Sequence, residues 1–206
     1  MNTLTKSEFI NDVKNHKMIV VMDSGVYRHI HFSDGTFIQH FDIVTYPQYL
    51  VISGDMGCYA FSRVNDMFDF FRGKKINPAY WGEKLQAGNA KTFDYEIVMS
   101  SINKHIDSFC EDIGDYFDPT CDYADEQELE HYFREEVAEH FAYSEMDEFR
   151  FISTIDSFES SVIPDVNIFE DMGSWLEHES FYYRYLWCCH AIVWAIAEYD
   201  KSKNMV

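Results

Sequence analysis

Two tight-turn signals inside one β-rich stretch limit what this chain can build. Val26–Phe32 and Phe37–Val44 flank Ser33-Asp34-Gly35-Thr36, and Tyr49–Gly54 and Cys58–Ser62 flank Asp55-Met56-Gly57. Connections this short join antiparallel neighbours, because a parallel pair needs a crossover of about a dozen residues or more. The segment from Met18 to Ser62 therefore reads as an antiparallel meander of four or five strands, with Pro47 in a turn and the apolar run Met18–Met22 as a further, buried strand. With Asp34-Gly35 as the central pair of a two-residue turn, opposed positions sum to 69: Phe32 faces Phe37, Ile30 faces Gln39 and His29 faces His40. One sheet face then carries Val26, Ile30, Phe32, Phe37, Phe41 and Ile43. The other carries Tyr27, His29, His31, Ile38, His40, Asp42 and Val44.

From Asn65 the pattern turns helical, after a single early helix. Thr5-Lys6-Ser7-Glu8 is a capping box ahead of Phe9, Ile10 and Val13. A short helix over Met67, Phe68 and Phe71 stops at Gly73. Asn77-Pro78 caps another, with Tyr80, Trp81 and Leu85 on its buried side. Ile97, Val98, Ile102, Ile106 and Phe109 predict a helix over Phe93–Phe109. Asp125 caps a helix whose core stripe is Leu129, Phe133, Val137 and Phe141, with Asp125, Glu128, Glu135, Glu136 and Glu139 opposite. Ser144-Glu145-Met146-Asp147 opens one more helix, and Ser174-Trp175-Leu176-Glu177 is a further capping box. The segment from Phe181 to Lys201, apolar nearly all round, is expected as a central pillar that buries Leu186, Ile192, Val193, Trp194 and Ile196. The fold class is α+β: an N-terminal antiparallel meander packed against a mainly helical, acidic C-terminal half. Residues 1–206 read as a single domain with a sheet subregion, 1–64, and a helical subregion, 65–206.

Charge divides the chain. Residues 1–106 hold 11 acidic and 11 basic side chains, while residues 107–206 hold 25 and 5, which accounts for the whole net charge of −20. With 18 Phe, 14 Tyr and 4 Trp, the chain is too aromatic for the acidic half to be a disordered tail. A field of that sign repels nucleic acid and attracts basic protein surfaces. Direct nucleic-acid binding is thus not expected. Five cysteines, an odd number without CxxC spacing, fit a reducing compartment. The run Leu186–Ala197 is shorter than the roughly 20 residues a membrane-spanning helix needs, and no apolar leader opens the chain. A cytoplasmic protein without a membrane segment is expected.

Four places could carry chemistry. His29, His31, His40 and Asp42 would meet on the polar hairpin face, where opposed Cβ atoms lie about 4.5–5.5 Å apart, close enough for shared coordination of a zinc-like ion. A metal-dependent hydrolase is the enzymatic alternative that follows from this cluster; its bland counterpart is an ordinary polar sheet face, and a one-residue slip would dissolve it. Asp55 between glycines reads as a hairpin turn, since phosphate-loop and dinucleotide fingerprints are absent. Cys188-Cys189-His190 lies in the most apolar helix, where buried thiols are inert. The carboxylates remain. On a helix, acids three or four residues apart lie about 5–6 Å from one another, near the spacing of phosphates along a nucleic-acid strand. The candidate partner-binding residues are Asp125, Glu128, Glu135, Glu136 and Glu139, with Asp112, Asp115, Asp118, Asp122, Glu145, Asp147 and Glu148 beside them. No cofactor is called for, and binding is favoured over catalysis.

Four stretches carry a resemblance to a family: Tyr27-Arg28-His29; Phe41-Asp42-Ile43-Val44-Thr45-Tyr46-Pro47 with Ser53-Gly54-Asp55-Met56-Gly57; Ile76-Asn77-Pro78-Ala79-Tyr80-Trp81; and Trp187-Cys188-Cys189-His190-Ala191-Ile192-Val193-Trp194. The chain resembles uncharacterised accessory proteins encoded by bacteriophages and prophages of proteobacteria. The resemblance implies a setting, the cytoplasm of a bacterial host, and no site residue. Together with the charge it leads to the expectation of a protein that binds and inhibits a host nucleic-acid-binding or defence protein through an acidic, nucleic-acid-mimicking surface.

Overall fold

A computed structural model describes residues 4–120, 122–142, 148–170, 172, 176 and 178–204. The fold is α+β. Helix α1 (Lys6–Val13) is followed by β1 (Lys17–Ser24), β2 (Tyr27–Ser33), β3 (Phe41–Tyr46), β4 (Tyr49–Gly54) and β5 (Gly57–Ser62). Then come α2 (Met67–Phe71), α3 (Pro78–Gly82), β6 (Leu85–Ala87), β7 (Lys91–Phe93), α4 (Tyr95–Glu111), a 3₁₀ turn (Ile113–Tyr116), α5 (Glu126–His140), α6 (Glu148–Asp156), β8 (Glu179–Phe181) and α7 (Tyr183–Asn204). Strands β1 to β6 form one sheet in sequence order with every neighbour antiparallel, and β7 pairs with β8.

The chain divides into two compact units, Met1–Thr92 with Phe181–Val206, and Phe93–Ser180. The expected boundary at 64/65 is therefore displaced. The reason is apolar matching. Phe68, Phe71 and Trp81 of α2 and α3, and Tyr185, Trp187, Ile192 and Ile196 of α7, share a core with Ile30, Phe32, Phe41, Ile43, Leu50, Ile52 and Phe61 of the sheet. A second core joins Val98, Ile102 and Ile106 of α4, Leu129, Phe133 and Val137 of α5, and Phe151 and Ile155 of α6, with Phe141, Phe158 and Phe169. Each of the two units has a core of its own. Val193, Trp194 and Leu186 are half-buried, while the buried surface of α7 is Tyr185, Trp187, Cys188, Cys189, Ala191, Ile192, Ala195, Ile196 and Tyr199.

Local signals account for most element ends. Thr5 Oγ1 accepts from the Glu8 amide and Glu8 accepts from the Thr5 amide, completing the capping box of α1. Asn77 Oδ1 accepts from the Tyr80 amide ahead of Pro78, and Gly73 takes a φ of 63° just past α2. The Asp55-Met56 turn joins β4 to β5 as expected, with Gly54 opposite Gly57. Gly54 is obligatory for a steric reason: a Cβ there would lie 2.1 Å from the His40 carbonyl oxygen. Leu85 lies not on α3 but in β6, opposite Phe61. The helices proposed to start at Ser144 and Ser174 open on residues outside the described set.

Two strand expectations are corrected. Strand β1 is the exposed edge of the sheet: Ile19, Val20, Val21 and Met22 all face outward, because β1 pairs only with β2 and a bulge between Val20 and Met22 breaks its alternation. The connection between β2 and β3 is not a two-residue turn. Phe32 pairs with Phe41, Ile30 with Ile43 and His31 with Asp42, so opposed positions sum to 73. Residues 34–40 form a loop, held by Asp34 accepting from the Thr36 amide (2.9 Å) and Asp55 accepting from the Gln39 amide (2.8 Å). Phe37 and Ile38 are 86% and 67% exposed.

Candidate functional site

The register correction settles the hairpin cluster first. The shift in pairing is even, so His29, His31 and Asp42 keep their common face. His29 Nε2 donates to Asp42 Oδ1 at 2.8 Å, and His31 Nδ1 donates to the same oxygen at 3.1 Å. His40 leaves the strand pair and turns its Nδ1 to the Phe37 carbonyl at 2.7 Å, so His29 no longer faces it. Among the described residues no group of three or more His, Cys, Asp or Glu side chains is arranged to hold a metal ion. The geometry is a carboxylate shared by two imidazoles through one oxygen, which orients the rings. The metal-centre alternative loses its assumed register: His40 no longer opposes His29, although its ring still lies 6.3 Å from that of His31.

The thiols of α7 follow their burial. Desolvation pushes Cys189 up to about 12 and holds Cys188 higher still, so neither supplies a thiolate near neutral pH. The four described cysteines are free.

The carboxylates separate more sharply than the sequence halves suggest. Phe93–Ser180 holds 25 acidic and 3 basic side chains, a balance of −22. The remaining residues hold 11 and 13, a balance of +2. The boundary between the compact units is thus also the boundary between charge regimes; α7, with Arg184, Lys201 and Lys203 against Glu198 and Asp200, adds +1 to the sheet unit.

Within the acidic unit the candidates divide by what they touch. Asp125 caps α5 by accepting from the Glu128 amide at 2.9 Å. Glu128 reaches back to the Ala124 amide at 2.5 Å and is half-buried, so it belongs to the cap and not to an outward face. Glu136 is also inside: it accepts from Ser160 Oγ (2.5 Å), the Ser161 amide (2.7 Å) and Ser161 Oγ (2.5 Å). Burial works against its charge, and these donors overcome that penalty and hold its carboxyl below the usual range. Asp118 accepts from the Thr120 amide and hydroxyl, both at 2.8 Å, which likewise lowers its pKa. Glu148 lies 3.2 Å from His178 Nε2, and Glu135 lies 3.6 Å from His131 Nε2, one helical turn away. Asp112, Asp115, Asp122 and Glu139 are exposed and make no side-chain hydrogen bond or ion pair among the described residues. Glu145 and Asp147 lie outside the described residues. One cation, Arg134, is pinned between Glu130 (2.7 Å) and Asp107 (2.8 Å) on the same unit.

The exposed candidates are thus Asp112 and Asp115 at the 3₁₀ turn, Asp118 after it, Asp122 and Asp125 before α5, Glu135 and Glu139 on it, and Glu148 at the start of α6. The stripe Leu129, Phe133 and Val137 fastens the opposite side of α5 to the core. Replacing Glu136 with Ala is expected to destabilise this unit by about 1–3 kcal/mol, because three donors lose one acceptor. Glu139→Gln should leave it unchanged within about 0.5 kcal/mol. Thermal melts of the two variants check the distinction, and equal melting points would place Glu136 with the outward carboxylates.

No protein-family description matches the chain, and no curated protein and no solved structure matches it. Among the described residues no helix is long and apolar enough to cross a membrane.

Proposed function

We propose that this protein is a binding protein without catalytic activity, whose helical unit docks on a basic surface of a nucleic-acid-binding or defence protein and blocks it. The observation that carries the reading is the confinement of a −22 balance to one compact unit while the remainder is near neutral at +2. Like charges at helical spacing cost stability, each pair about 0.2–0.5 kcal/mol. A unit that keeps exposed acids in such excess forgoes an easy gain in stability. A partner that supplies the missing cations, in a groove built for phosphates, offsets that cost and is steered onto the surface by the field. The bacteriophage setting and the host as source of the partner rest on the resemblance of the four sequence segments.

The test is capture from nuclease-treated lysate of a proteobacterium, compared between the natural chain and the variant Asp112→Asn, Asp115→Asn, Glu135→Gln, Glu139→Gln. These four residues face outward, so the variant should melt at or slightly above the natural temperature. A captured nucleic-acid-binding protein should bind the variant at least tenfold more weakly, and its affinity for the natural chain should fall steeply as salt rises, since the Debye length shrinks from about 10 Å at 0.1 M to 3 Å at 1 M. Capture that is indifferent to both the variant and the salt would refute the electrostatic reading.

A further inference from the structure

The near-neutral unit carries a cleft of the opposite character. Helix α1, the segment Lys74-Lys75-Ile76 and helix α7 enclose about 640 Å³, within the range of roughly 300–1,000 Å³ typical of small-molecule sites. Its floor is apolar: Phe9, Ile76, Val193, Trp194 and Ala197 line it. Its rim is cationic: Lys6, Lys74, Lys75 and Lys201 all border it, against a single acid, Glu198. Glu198 is already engaged by Lys201 at 2.6 Å. Lys74 rests over the Phe70 ring, 4.7 Å from its centroid, a contact that leaves its charge uncompensated. Lys6 and Lys75 have no side-chain partner among the described residues. In a chain with 36 acids and only 16 lysines and arginines, four lysines at one cleft mouth with one acid among them is a local reversal of the molecule's sign.

The polar groups inside the cleft are few. His190 is half-buried, its ring stacked on Phe9 at 5.6 Å. Burial and the nearby Lys6 push its pKa down, so it adds no further cation at neutral pH. A sugar or a nucleobase would bring several donors and acceptors, and apart from the indole N–H of Trp194 the floor of Phe9, Ile76 and Val193 offers nothing to pair them, which is costly. The ligand that matches is an anion with an unfunctionalised apolar body.

We infer that the cleft between α1 and α7 is a binding site for a small alkyl carboxylate, its chain on the Phe9–Ile76–Val193–Trp194 floor and its head among the lysines. This site is separate from the acidic unit, and its existence does not depend on the docking function proposed above. Any ligand of this kind must approach against the net negative charge of the molecule. At about 0.15 M salt that opposition is screened beyond about 8 Å, and the lysines at the mouth dominate.

Calorimetric titration of the full chain at that salt with octanoate, 1-octanol and acetate tests the inference. Octanoate should bind saturably with one equivalent. Octanol, with the same chain and no charge, should bind at least tenfold more weakly, and acetate, with the head alone, should not bind detectably. Lys74→Glu with Lys75→Glu should weaken octanoate at least tenfold without lowering the melting temperature, since both lysines are exposed. Ala197→Trp, at an exposed position on the lining, should block the cleft sterically while keeping its charges. Absence of saturable octanoate binding, equal binding of octanoate and octanol, or octanoate binding that survives both variants with the fold intact would overturn the inference.

Discussion

Trp187→Ala is expected to destabilise the sheet unit by about 3–5 kcal/mol, the usual range for emptying a large aromatic site. Trp187 is fully buried, edge-on to Phe9 at 5.2 Å and to Phe41 at 5.6 Å, so it joins α7 to both α1 and the sheet. Its Nε1 donates to Asp12 Oδ2 at 3.0 Å, and the variant also leaves that carboxylate without its partner. Trp194 lies two turns further along nearly the same face of the helix, against Phe32 at 5.2 Å, but it is half-buried on the cleft wall. Trp194→Ala should therefore cost clearly less. Denaturant unfolding of the two variants, followed by far-ultraviolet circular dichroism, gives the comparison. If Trp187→Ala costs no more than Trp194→Ala, α7 is not the pillar of this core.

The second large effect belongs to an ion pair at the edge of the sheet unit's core, between buried Arg28 and half-buried Asp66. Arg28, 7% exposed on β2, donates twice to Asp66, at 2.9 and 2.8 Å, and lies over the Phe68 ring at 4.4 Å. Asp66 also accepts from the Phe68 amide at 2.9 Å, capping α2. Burial opposes the charge on both groups; the pair overcomes it, so the Asp66 carboxyl is held below its ordinary value. Asp66→Ala leaves a buried guanidinium without its counter-ion and α2 without its cap. A loss of about 3–5 kcal/mol is expected. The sign with pH follows from the lowered pKa. The stabilisation is complete above the ordinary carboxylate range, near pH 4, and is lost as pH falls through the folded value. The natural chain should therefore lose stability more steeply below pH 4 than Asp66→Ala does. Parallel acid profiles of the two would rule this out.

Elements governed by local contacts are legible in the sequence, and those governed by distant contacts are not. The stripe Leu129, Phe133, Val137, Phe141 and the caps at Thr5, Asn77 and Asp125 depend on residues within a turn or two, and all are found as expected. The faces of β2 and β3 were legible because alternation survives any even shift in pairing, whereas the pairing itself was not. Phe37 and Ile38 resemble strand residues, yet Asp55, from the next hairpin, draws the Gln39 amide into a loop. Met18–Met22 is apolar enough for an interior strand, and nothing in its composition says that it has one neighbour only. The acidic face was visible as charge. Which carboxylates are engaged was not, because the serines that hold Glu136 lie 24 and 25 residues away.

The order of the segments has a consequence for how the molecule comes into being. Phe93–Ser180 is inserted within the sheet unit, whose last and most apolar helix is α7 at Tyr183–Asn204. During synthesis the strands emerge first, but Trp187, Ile192 and Ile196, which complete their core, emerge only after the inserted unit. The inserted unit has all its own core residues before that point. The middle segment can therefore settle while the sheet still waits for its cover. Until α7 has emerged, the apolar face of β2 to β5 and the outward edge of β1 stand open together, and that interval exposes the chain to aggregation.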